Sequence, residues 1–479
     1  MDRRKFIIKN SIAVGGLSII PSIAFTKNKQ PQNKFKSNRP IPENRTFSSK
    51  AVEAKIKEVK DKIKNEEIAW MFENCYPNTL DTTVDFEIIN NKPDTFIITG
   101  DIDAMWLRDS TAQVWPYLPL INDDEKLKNL VKGLINRQTK CILKDPYANS
   151  FYKDLNKKSE WETDSPTPIP GVHERKWEID SLCYTVRLAN EYYQLTNDKS
   201  VFDPEWDKAM RLLVKTLRTE QRKDKASPYT FTRETTTMID APVFSGTGRP
   251  LKPVGLIASM FRPSDDATLL PFLIPSNIFA VISLKQLAFI YKNVIHDLDF
   301  SNECIAFANE IDDAIKAYAI SNHLNFGDIY AYEVDGFGNK IFMDDANVPS
   351  LMSLAYLGAH KTTDTIYKNT RQFLLSDHNP YYLKGNIAEG QASPHTGKNK
   401  IWPMGIILRA ITSDNDDEII KCLEMLKNTH AGTGFMHEAF NKDNPKDYNR
   451  TWFAWANTLF GELIIKIYNE RKHILSHHF

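Results

Sequence analysis

An all-α fold built from helix pairs is what this sequence predicts. Three observations carry that expectation. Apolar residues recur at helical spacing through most of the chain after residue 50, strand-like pieces are few, and the joining segments are irregular and contain Gly and Pro. The first helical stretch, 51–75, sets Val52, Ile56, Val59, Ile63, Ile68 and Met71 on one face. Further helices are expected to begin near Thr111, Lys126, Glu178, Glu205, Ser276, Asn302, Pro349, Thr363, Trp402, Asp416 and Trp452. Ser276 ahead of Asn277-Ile278-Phe279 is a helix-entry signal, as is Asp416-Asp417 ahead of Glu418-Ile419-Ile420. The total is about twelve, the number that a closed ring of six helix pairs, an (α/α)6 barrel, requires. No internal repeat is visible, which disfavours a regular solenoid. Two minor hairpins are expected, one around Asn90-Asn91-Lys92-Pro93-Asp94 and one around Asp335-Gly336-Phe337-Gly338-Asn339.

Composition narrows the class. Of 479 residues, 42% are hydrophobic and 25% charged, as in a soluble globular protein with a sizeable core. Lys+Arg and Asp+Glu are both 61, so the chain carries no electrostatic footprint for nucleic acid. Cys75, Cys141, Cys183, Cys304 and Cys422 are scattered and form no CxxC pair. They read as small buried hydrophobes, not as a disulfide framework or a zinc site. No metal or cofactor is called for.

The N-terminus reads as an address. Met1 to Asn10 is basic, 11–25 is largely apolar, and Ser22-Ile23-Ala24 offers a small-x-small cleavage site. Arg3-Arg4 resembles a twin-arginine export signal. The expectation is a signal peptide over 1–24, a solvated linker over 25–50, and one catalytic domain over 51–479. Export would leave the protein in the periplasm, with no membrane span after cleavage, since no later apolar stretch is long enough.

Polar clusters sit in the loops, where a rigid scaffold commonly carries its chemistry. The string 99–110, TGDIDAMWLRDS, gathers Asp101, Asp103, Trp106, Arg108 and Asp109. A ring face, a guanidinium fork and a carboxylate suit the vicinal hydroxyls of a sugar. As an alternative for Asp109 alone, Asp109-Ser110 could cap a helix starting at Thr111. In HERKWEID, 173–180, Glu178 and Asp180 read as acids at a helix N-terminus. Asp265 and Asp266 follow Arg262-Pro263-Ser264 and precede an apolar run. A carboxyl beside apolar surface and another carboxylate has its pKa raised, which suits a general acid; Ser264 or Asp265 could also be a cap. Asp344, Asp345 and Asn347 form a second acidic loop, without EF-hand spacing. His395 and Trp402 lie in a loop and helix entry. In GTGFMHEAF, 432–440, glycines precede His437-Glu438, and Glu438 among aromatic residues could position a water.

Eleven strings together resemble the metal-independent exo-α-1,6-mannosidases of glycoside hydrolase family 125. They are TGDIDAMWLRDSTAQ, KDPYANSF, ERKWEIDSLCY, FRPSDDA with LIPSN, EVDGFGN, MDDANVPSL, SPHT, IWPMG, GTGFMHE and WFAWAN, in order from Thr99 to Asn457. The resemblance implies an (α/α)6 barrel, no metal, and inverting hydrolysis of non-reducing terminal α-1,6-linked mannose. The implied partner is a mannose-containing oligosaccharide. By motif, the general acid falls on Asp265, with Asp266 as the second choice, and the base falls on Glu438. Arg108 and Asp109 would hold the terminal mannose, and Asp344, Asn347, His395 and Trp402 would line the pocket. Asp101, Trp106, Asp266 and His437 complete the expected substrate-binding set. The chain departs from relatives at Ala439, where they carry Ser, and at Ala267-Thr268-Leu269-Leu270, where they are more polar or aromatic. An (α/α)6 glucoamylase-like α-glucosidase, or a helical glycan-binding protein, is the alternative that the loops alone leave open.

Overall fold

In the computed structural model, which describes residues 35–477, thirteen α-helices alternate with short strands. The expected signal peptide lies outside the described residues. From Ser37 onward the chain belongs to the main body. The stretch read as linker is therefore tied down well before Lys50. Arg39 is buried against Asp81 at 2.7 Å, and Ser49 caps the first helix through Val52 N–H.

The helices are α1 (Lys50–Lys60), α2 (Glu66–Cys75), α3 (Asn78–Thr82), α4 (Leu107–Val114), α5 (Glu125–Lys144), α6 (Ile179–Thr196) and α7 (Pro204–Thr219). Then come α8 (Ile274–Ile290), α9 (Leu298–Tyr318), α10 (Thr365–Leu374), α11 (Pro403–Ile411), α12 (Asp416–Thr429) and α13 (Ala454–Glu470). The expected helix 51–75 is two helices. Asn65 accepts from Glu67 and Ile68 N–H and so caps a new start in place of a continued turn. The helix expected near Pro349 is only a 3-10 turn, Met352–Leu354. Asp124, Asp203 and Asn415 cap α5, α7 and α12 as their sequences suggest.

One circuit of packing runs through the body. Helix α4 packs on α6, α6 on α8, and α8 on the Met352–Leu354 turn. That turn touches α11, α11 packs on α13, and α13 returns to α4. Helix α8 is largely apolar, with Ile278, Phe279, Leu284 and Leu287 buried. Ile274–Ile295 is long and apolar enough to cross a membrane, contrary to the expectation from sequence. Its apolar faces are used inside the protein instead, between α6 and α9. All five cysteines are free and buried.

Six small antiparallel sheets tie the loops together. Both expected hairpins form. Val84–Ile89 pairs with Lys92–Ile97 around Asn90 and Asn91, both at positive φ. Glu333–Val334 pairs with Lys340–Ile341, and Asp335 accepts from Phe337 and Asn339 N–H inside the turn.

Candidate active site

Every polar cluster singled out above lies just before, or in the first turn of, an element of the packing circuit. Trp106 precedes α4, Glu178 precedes α6, the Asp265 loop precedes α8, and the Asp344 loop precedes Met352–Leu354. The His395–Trp402 segment precedes α11, and the Glu438 hairpin precedes α13. Short strand pairs join them: Trp106 faces Ser150, Ser150 faces Glu174, and Ile401 faces Phe440. The positive ends of several helix dipoles therefore meet a concentration of acids.

Arg108 is the hub. It sits in the first turn of α4, 3% exposed. Its Nη1 donates to Glu178 at 2.6 Å and Asp180 at 3.0 Å, its Nη2 donates to Asp265 at 3.2 Å, and its Nε lies 3.5 Å from Asp109. Asp109 does not cap the helix, which starts at Leu107; its carboxylate accepts from Thr99 Oγ1 at 2.5 Å. The chain of contacts continues across the site. Thr99 O accepts from Arg450 Nη2 at 2.9 Å, and Arg450 Nη1 stands 3.5 Å from Glu438. Asp101, at the exposed rim, pairs with the same guanidinium.

Asp265 and Glu438 are the two proposed reactive carboxylates, and each is 14% exposed. Both can thus meet a ligand without being free in water. Asp265 adopts φ 65°, a left-handed conformation that costs a non-glycine residue energy and that clusters at functional positions. Its loop is clamped from behind: Arg262 donates to the buried Glu333 at 2.6 Å, and Glu333 accepts from Leu269 and Leu270 N–H. Asn149 and Lys176 complete its surroundings. Asn149 Nδ2 is 3.4 Å from its carboxylate, and Lys176 Nζ donates to its backbone carbonyl at 2.8 Å.

The expected rise in pKa divides unequally over the adjacent pair. Burial raises Asp266, and His395, whose Nδ1 lies 2.9 Å away, offsets only part of this. Burial and Glu174 also push Asp265 up, but Arg108, Lys176 and a hydrogen bond from Glu178 outweigh them and hold it low. Glu178 goes the other way: burial drives it well up despite Arg108. Asp109 is likewise raised by burial.

The remaining expected site residues fall into two groups. His395 is partly exposed beside Asp266, and Trp402 stands behind it, with Nε1 donating to Thr396 Oγ1 at 2.8 Å. Four others are enclosed. The Trp106 ring, expected to offer a face to sugar, packs with Ala104 and Tyr152 and meets His173 edge-on at 5.0 Å. Asp344 is fully buried and accepts from Leu351 N–H, Met352 N–H and Gln391, so it organises the 3-10 turn rather than facing the pocket. Asn347 donates to Asp345, which also binds Ser264 and Ser393 and so joins three loops. His437 is stacked on Tyr448 at 3.8 Å with Nδ1 against Arg450 O, behind Glu438. Sequence reasoning gives no site role to Lys176, Glu178, Asp180 or Arg450. The two acids look like ordinary first-turn residues, and Lys176 and Arg450 have no local signal.

The chain resembles known proteins over nearly its whole length. The family model described as metal-independent alpha-mannosidase (GH125) matches residues 65–465. The Meiotically up-regulated gene 157 protein of Schizosaccharomyces pombe is 41% identical over 455 residues, covering 91% of this chain and 89% of that one. Among solved structures, a metal-independent α-mannosidase of Streptococcus pneumoniae superposes with a TM-score of 0.84 at 41% identity. The match covers 89% of this chain and all of that one, which was solved in a non-productive complex with α-1,6-mannobiose. A family 78 rhamnosidase of Bacillus sp. GL1 shares the fold alone, at 11% identity and a TM-score of 0.51, over 83% of this chain and 34% of that one. This chain belongs to the metal-independent α-mannosidases of glycoside hydrolase family 125.

Proposed function

We propose that the chain is an exo-acting α-mannosidase that removes non-reducing terminal α-1,6-linked mannose with inversion, on a closed (α/α)6 toroid. The observation that carries this is the 41% identity, over the whole of the solved chain, to a protein that binds α-1,6-mannobiose. In this reading Asp265 is the general acid and Glu438 the general base. Asp265 protonates the glycosidic oxygen as its bond to C1 breaks, and Glu438 takes a proton from the water that adds to the opposite face of C1. Such a pair stands about 6.5–9.5 Å apart in inverting enzymes, which leaves room for that water. Asp265 is the better acid than Asp266 because its side chain is the more exposed of the two. Arg450 keeps Glu438 in place, and Arg108 with Asp109 would hold the terminal mannose. The packing circuit from α4 through α13 back to α4 supports the toroid. The leader 1–24 would send the enzyme out of the cytoplasm, to glycans met outside it.

Proton NMR of the first product from α-1,6-mannobiose tests linkage and stereochemistry together. β-Mannose appearing before mutarotation is the expected result. α-Mannose as the first product, or turnover of α-glucosides in its place, would overturn the proposal.

A further inference from the structure

Asp265 is read as the acid, yet its own surroundings favour its ionised form. Glu178 supplies what is missing. Its carboxyl is fully buried, and Oε2 accepts from Arg108 Nη1 at 2.6 Å and from Ser181 Oγ at 2.8 Å. Its Oε1 meets no protein N–H or O–H donor among the described residues. The guanidinium that binds its Oε2 also donates to Asp265 at 3.2 Å, so the two carboxyls stand side by side on Arg108 and share a side-chain hydrogen bond. Two carboxylates facing each other in a buried site cannot both ionise, so one proton lies between them. The groups that bear on the pair are Arg108 from α4, Asp180 from α6, and Glu174 and Lys176 from the strand and loop before α6. Asp109, on the far side of Arg108, competes for the same guanidinium.

We propose that Glu178 is a positioning residue for the proton of the reaction: it holds one proton against Asp265 in the free site and passes it to Asp265 when a glycosidic oxygen arrives. The inference rests on Asp265 as the general acid. The arriving oxygen accepts a hydrogen bond from protonated Asp265, and Glu178 becomes a carboxylate already matched by Arg108 and Ser181. Asp265 then gives the proton to the leaving oxygen as the C1–O bond breaks and its electron pair moves onto that oxygen. Water adds to C1 and loses its proton to Glu438. Solvent removes that proton and restores one to the Glu178–Asp265 pair, so the net reaction is addition of one water.

The pH dependence of kcat/KM on α-1,6-mannobiose tests this. In Glu178→Gln the amide donates permanently to Asp265 and cannot yield a proton. Asp265 must then be protonated against Arg108 and Lys176. The expected result is an alkaline limb displaced to lower pH by about one unit or more, with part of the lost rate returning in acid. A purely structural role for Glu178 would lower the rate equally at every pH and leave the limb in place, and that outcome overturns the inference. Ser181→Ala removes one donor to the Glu178 carboxylate, tightens its hold on the proton, and should move the limb the opposite way. If Glu178→Gln does not fold, Ser181→Ala carries the test, and an unmoved or acid-shifted limb overturns the inference. Asp265→Asn separates the two claims. Substantial turnover in that variant removes Asp265 as acid and takes the proposed mechanism with it. Loss of turnover there, with an unmoved limb in Glu178→Gln, removes only the role of Glu178.

Discussion

Replacing Arg108 by methionine keeps an unbranched apolar stem and removes the charge that four carboxylates share. Glu178, Asp180, Asp265 and Asp109 stand 2.6, 3.0, 3.2 and 3.5 Å from its nitrogens, and the first two are completely buried. Without the guanidinium, the folded protein must protonate at least one further carboxyl. For a carboxyl of ordinary pKa that costs about 1.4 kcal/mol per pH unit, hence about 4 kcal/mol at pH 7 and under about 1 kcal/mol at pH 4.5. Removing one partner of a buried pair is independently worth about 3–5 kcal/mol. The sign follows from linkage. Carboxyls whose folded pKa is raised contribute stability that is complete below their unfolded pKa and is lost as pH rises. Burial already raises Glu178, Asp180 and Asp109, and losing Arg108 raises them further. Arg108→Met should therefore fall further behind the wild type as pH climbs from about 4.5 to about 8. Denaturant unfolding of both proteins across that range measures the gap. A gap that does not change with pH, or one under about 1 kcal/mol at the alkaline end, refutes the shared-charge reasoning.

Asp265→Asn and Glu438→Gln should each lose about a hundredfold or more in kcat on α-1,6-mannobiose while thermal unfolding stays near wild type; full activity in either one frees that residue of its role. Arg450→Met cuts Glu438 loose from Thr99 and Asp101, so kcat should drop about tenfold or more with KM changed less, as steady-state kinetics will show. Asp344 is pushed up to about 7 by burial, against the bonds from Leu351, Met352 and Gln391. Its contribution to stability is complete below the ordinary carboxylate pKa and is lost as pH rises toward 7, whereas Asn has no such slope. Asp344→Asn should be destabilising near pH 5 and should recover by about 2 kcal/mol relative to wild type by about pH 7; parallel stability curves would count against the raised pKa.

How much of this was legible beforehand depends on how local each signal was. Helix starts at Glu125, Pro204 and Asp416 carry side-chain caps in the residue before them, and a cap is a short-range fact. Helix α4 has no side-chain cap at Trp106, so Asp109 looked like the cap and the start was expected at Thr111, four residues late. The six loops of the site are visible as polar clusters, but what separates a pocket carboxylate from a structural one is not. Asp344 and Asp265 each belong to an Asp-Asp pair in a loop. One accepts two backbone N–H groups seven and eight residues on and vanishes into the core; the other turns left-handed and meets an arginine 157 residues away. Glu178 makes the same point more sharply. Acids in a helix's first turn are favoured by the dipole whether or not they do anything else. Only Arg108, 70 residues earlier, and Asp265, on another loop, turn this one into half of a proton-sharing pair. Residue type and spacing therefore identify which loops can hold chemistry, while the role of each acid is assigned by long-range partners that no window along the chain contains.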